Sequence, residues 1–147
     1  MKRFLLYCCV AVCCAGGFFC LPKSPTLFMD GMAEVYYDYP VDIDFEWDWQ
    51  DLGFGRLVYC PIDAVKQLPR DYFALSVTMP KEKWLKYASF LGVTVLSREE
   101  ATGYLSELCY SDFLVGGVRV AGQKVNLQVA WQGEKVKVGF PLIVGSF

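Results

Sequence analysis

The chain has 147 residues, with 14 basic and 16 acidic side chains, no histidine and a formal net charge of −2. That balance gives no electrostatic footprint for nucleic acid, and 54% apolar content excludes a disordered chain. Without histidine, a serine or cysteine nucleophile lacks its usual imidazole base. No G-x-S-x-G elbow and no glycine-rich phosphate loop occurs either, so the chain reads as a non-enzyme with no cofactor and no metal site.

The first element is an uncharged apolar run over residues 4–21, preceded by Lys2 and Arg3 and closed by Pro22. The small residues Ala15, Gly16 and Gly17 suit signal-peptidase cleavage, and cleavage is favoured over retention. A run of this length also reaches the minimum for a bilayer-spanning anchor. In either case the basic N-terminus stays inside and the remainder is sent outward. The expected organisation is a signal peptide or anchor over 1–21, a spacer over 22–29, and one exported domain over 30–147, periplasmic or extracellular. Loss of Lys2 and Arg3 would take the net charge to −4. Contact with the membrane is expected through residues 4–21 if they are retained.

Five of seven cysteines, Cys8, Cys9, Cys13, Cys14 and Cys20, fall in the apolar run, which leaves Cys60 and Cys109 in the body. In an exported domain these two most simply form a disulfide, worth about 3–4 kcal/mol on the loop-entropy model. Two separate buried thiols are the competing reading. The adjacent cysteine doublets lack the spacing of zinc ligands.

Between Asp30 and Asp51 lie eight carboxylates and no basic residue, interleaved with tyrosine, phenylalanine and tryptophan. Residues 41–49 alternate strictly, with Val41, Ile43, Phe45, Trp47 and Trp49 at odd positions and Asp42, Asp44, Glu46 and Asp48 between them. Period-two alternation predicts a β-strand with an apolar face turned inward and a carboxylate face turned out. Such charges protect an edge strand from unwanted pairing. The functional reading makes Asp42, Asp44, Glu46 and Asp48 a partner-binding face for a protein with a basic surface. A calcium loop is excluded, because Trp47 and Gly53 stand where an EF-hand needs glycine and glutamate.

Gly53 and Gly55 predict a turn, residues 57–60 a strand, and Pro61 the start of a two-turn helix over 62–68. Residues 72–79 read as a buried strand. Pro80 opens a second helix with Trp84, Leu85, Ala88 and Leu91 in one stripe and Gly92 as its cap. Residues 93–96 suit a short strand. Ser97 and Glu100 have capping-box spacing, which predicts a third helix with Ala101, Leu105, Leu108 and Cys109 on its inner side. Residues 115–120, 124–131 and 135–144 read as a three-stranded antiparallel meander. The residues before Phe147, including Pro141 and Gly139, do not suit a lipid-facing barrel strand.

The expected fold class is therefore α+β: about three short helices packed on an antiparallel or mixed sheet. The expected function is an exported small interaction protein, inhibitor-, immunity- or envelope-assembly-like, that presents its acidic strand face to a basic partner. The alternatives are a membrane-tethered structural subunit that keeps residues 4–21, and a glycan-binding or glycan-cleaving domain built on the carboxylates with Trp47 or Trp49.

Overall fold

The computed structural model of the chain describes residues 31–42 and 46–144. These residues form ten strands: β1 Met32–Tyr37, β2 Asp48–Asp51, β3 Arg56–Pro61, β4 Ala74–Pro80, β5 Thr94–Ala101, β6 Tyr104–Tyr110, β7 Val118–Val120, β8 Gln123–Val125, β9 Leu127–Gln132 and β10 Lys135–Phe140. Eight make one sheet in the order β2-β3-β1-β4-β10-β9-β6-β5, and β7 with β8 makes a separate two-stranded sheet. Every pairing is antiparallel.

This mostly-β architecture corrects the expected three-helix α+β class, because a single α-helix, α1 Lys81–Leu91, is present among the described residues. Residues Ile62–Gln67 form a 3-10 helix instead of two α-turns. The third helix is absent, and its place is taken by the β5–β6 hairpin. Ser97 and Glu100 have the spacing of a cap, but Gly103 at φ 91° turns the chain after Ala101, opposite Tyr104. Alternation along β6 then sends Leu105, Glu107 and Cys109 to one face and Leu108 to the other, which breaks the expected stripe through residues 101, 105, 108 and 109.

Cross-strand partners share a face of a sheet. Val35 with Val58 and Leu75, and Val138 with Val77 and Val129, thus define one inner face. That face carries the main core, which also holds Tyr37, Cys60, Cys109, Leu127 and Phe140. Helix α1 crosses from β4, in mid-sheet, to β5 at one edge, and buries Trp84 and Leu91 in this core. Leu85, expected in the same stripe, is half exposed. Pro80 closes β4 and caps α1, and Gly92 ends the helix in the left-handed conformation at φ 58°.

The three-stranded meander is also corrected. Val118–Val120 and Gln123–Val125 form the separate hairpin, and only Leu127–Gln132 and Lys135–Phe140 enter the main sheet. Asn126 parts the two halves. Its amide is buried and fully used: Oδ1 accepts from Ser111 N–H at 2.9 Å, while Nδ2 donates to the carbonyls of Ser111 and Leu114 at 2.8 and 3.1 Å.

Candidate functional site

Expected strand 41–49 is not continuous. Val41 and Asp42 lie outside any strand, Glu46 and Trp47 form a bend, and the strand begins only at Asp48. Asp44 lies outside the described residues. Alternation holds only in part: Val41 is buried and Asp42 exposed, Trp47 packs on the core and Glu46 and Asp48 point to solvent, but Trp49, expected inward, is exposed on the edge strand. The segment departs from β-structure because it links β1 to β2, which sit on opposite sides of β3, and so must travel around the sheet end.

Two anchors fix this segment. Tyr39 Oη donates to Asp71 Oδ2 at 2.9 Å, and Tyr37 Oη donates to the carbonyl of Pro69 at 2.8 Å, tying the loop after β1 to the loop before β4. On the other side Arg56, the first residue of β3, donates from Nη1 to the Val41 carbonyl at 2.6 Å. Its guanidinium also lies 4.2 Å from the centre of the Trp49 ring, a cation–π contact. Arg56 thus holds the loop and the edge strand together. Its Nε is buried without a hydrogen-bond partner among the described residues.

Asp42, Glu46 and Asp48 precede Trp49 of this unit in the chain, all three exposed and none in an ion pair among the described residues. Two other carboxylates, Asp38 and Asp71, act on the nearby tyrosines. Burial and then Asp38 raise the Tyr36 hydroxyl above its usual value. Tyr39 is raised first by its hydrogen bond to Asp71, then by burial and by the charges of Asp71 and Asp38.

Cys60 and Cys109 are both free thiols, fully buried on the inner face. They belong to β3 and β6, which are separated in the sheet order by β1, β4, β10 and β9. The disulfide expected between them is not present in this structure, while the inward orientation expected for Cys109 is observed. Burial raises each thiol, Cys60 to about 11 and Cys109 to about 12, which removes them from nucleophilic chemistry near neutrality.

No cluster of metal-ligating side chains occurs among the described residues, and no described helix is long and apolar enough to cross a membrane. A small cleft is lined by Phe73, Val115, Val118, Asn126 and Pro141. Its one polar side chain, Asn126, is already spent on Ser111 and Leu114, so the cleft presents no free catalytic group.

Sequence reasoning missed Arg56 and β1. Arg56 stands outside the acidic window and is brought to it only by the β2–β3 pairing, with Asp51 opposite Arg56. The two glycines of the intervening turn were the available signal. No family model, curated protein or solved structure matches this chain.

Proposed function

We propose that the chain is an exported interaction protein that captures a partner with a basic surface at the rim formed by Asp42, Glu46 and Asp48. The observation that supports this reading is the exposure of three carboxylates without ion-pair partners among the described residues, on the segment leading to a Trp49 ring that is 47% exposed and braced by Arg56. Charges left open at a surface steer and select an oppositely charged partner more than they stabilise a fold, and a rigid aromatic ring among them supplies contact area.

The test is binding to a synthetic lysine-rich peptide, followed by tryptophan fluorescence at rising salt. Asp42→Lys with Glu46→Lys and Asp48→Lys should leave the urea unfolding midpoint within about 0.5 kcal/mol of the parent, as expected for surface changes. The same variant should abolish capture. Undiminished capture by the triple variant refutes the rim. The mass of the mature N-terminus tests export: a start near residues 16–21 indicates a released domain, and an intact Met1 indicates a tethered one.

A further inference from the structure

The main sheet has two terminal strands, β2 and β5, and they are built differently. Strand β5 is longer, but its pairing with β6 shifts register between Val95 and Ser97, the mark of a bulge. It carries both signs of charge, and its Arg98 reaches across to Glu107. A bulge and mixed charges blunt an edge against further pairing. Strand β2 has no register shift, all four of its residues are exposed, and its two charged residues, Asp48 and Asp51, are both acidic.

The hydrogen-bond phase of β2 is fixed by its turn. Leu52 N–H donates to the Gly55 carbonyl at 2.9 Å. In an antiparallel ladder, bonded and non-bonded pairs alternate. Gln50 and Asp48 therefore direct their backbone groups toward β3, whereas Trp49 and Asp51 direct theirs away from the sheet. The free edge thus offers the N–H and C=O of two residues, framed on one face by Asp48 and on the other by the Trp49 ring and Asp51.

We infer that β2 accepts an extended, lysine- or arginine-bearing segment of the partner as an added antiparallel or parallel strand, with backbone bonds to Trp49 and Asp51. This rests on the rim reading and specifies how the rim holds its partner. Charge chooses the occupant. A second copy would lay beside β2 another strand whose only charges are negative, with no basic residue of its own to offset them. A cationic strand turns the same carboxylates into attractive cross-strand neighbours and places an aliphatic stem along Trp49.

The experiment compares three synthetic peptides of about eight residues, a length suited to strand addition, against the full chain. One alternates lysine and threonine. The second has the same sequence with alternate backbone amides N-methylated, leaving charge intact and removing donors. The third is a lysine–threonine peptide with central proline. The parent peptide should bind, and the N-methylated and proline peptides should each bind about tenfold or more weakly, the loss expected when backbone bonds cannot form. Equal binding of all three overturns strand addition while leaving the charged rim standing. Binding of the parent peptide that survives the triple charge reversal, or no binding at all, overturns both. A salt-insensitive dimer of the chain whose formation the peptide blocks would assign the edge to a second copy and also overturn the inference. Amide exchange gives an independent reading: slowing at Trp49 and Asp51 in the bound form supports the added strand, and slowing confined to other residues refutes it.

Discussion

Glu34 and Lys137 are 103 residues apart in the chain and meet across β4, with Lys137 Nζ donating to Glu34 Oε2 at 2.7 Å. The lysine side chain is 8% exposed and the carboxylate 22%. The pair links the first described strand to the last, on the face of the sheet opposite the main core.

Removing Lys137 takes from the partly buried Glu34 carboxylate the ammonium that it accepts from, which costs more than the pair contributes. Lys137→Met should therefore lower stability by about 2 kcal/mol, and adding Glu34→Gln should recover part of that loss. Urea unfolding of both single variants and the double variant measures the coupling. A double variant no better than Lys137→Met would place the energy elsewhere.

The buried thiols make stability depend on alkaline pH. Cys60 is raised from 9.0 to about 11 and Cys109 from 9.0 to about 12, in each case first by burial. The folded state holds both as neutral thiols, whereas the unfolded chain ionises them from about pH 9 upward. Their contribution is thus complete below pH 9 and falls as pH rises toward 11 and 12. The expected slope is about 1.4 kcal/mol per pH unit for each thiol inside that window. Cys60→Ala with Cys109→Ala should flatten the decline, read from urea midpoints at about pH 8 and about pH 10.5. Denatured, unreduced protein should take an alkyl group at both cysteines, located by peptide mass. Their recovery as one disulfide-linked peptide would contradict the free thiols.

Gly55 is held against the first strand so closely that an added Cβ would collide with the Tyr37 carbonyl and the Tyr36 ring. A backbone obstacle cannot swing aside, so Gly55→Ala must push the β2–β3 turn outward. A loss of about 2–3 kcal/mol is expected, in the range for overpacking. The same displacement should open the Arg56–Trp49 contact and shift tryptophan emission. An unchanged spectrum together with unchanged stability would refute the close approach.

Much of the β-structure was legible because turns announce themselves. Gly133 between β9 and β10, and Ala121 with Gly122 between β7 and β8, sit at left-handed backbone positions that bound the valine-rich runs. Pro80 and Gly92 likewise framed α1. The failures come from local patterns that tertiary pairing overrode. Ser97 and Glu100 obey a helix-start rule, but Arg98 is the residue that decides the segment, donating from Nε and Nη2 to Glu107 Oε1 at 2.9 and 2.6 Å across the hairpin. Trp131 Nε1 fills the second oxygen of Glu107 at 2.9 Å. A buried carboxylate with three charged or polar donors from β5 and β9 is not visible in spacing along one strand. Asn126, a polar residue within the run read as one strand over 124–131, is buried because the backbone of residues 111 and 114 supplies its partners.

The acidic segment was legible in composition and misread in conformation. Its alternation correctly assigns Val41 inward and Asp42, Glu46 and Asp48 outward, but wrongly turns Trp49 inward. Continuous strand did not follow, since no sequence rule showed that the segment must pass beyond β3 to reach β2.

The strand Lys135–Phe140 lies between β4 and β9, so it is the seam that joins the two halves of the sheet. A nascent chain halted before residue 135 would hold both halves with raw inner borders and no means of closing them. Covering Val77 and Val129 with Val138 must then wait for that strand. Such an order of assembly makes this strand the point at which a folding mutant would stall.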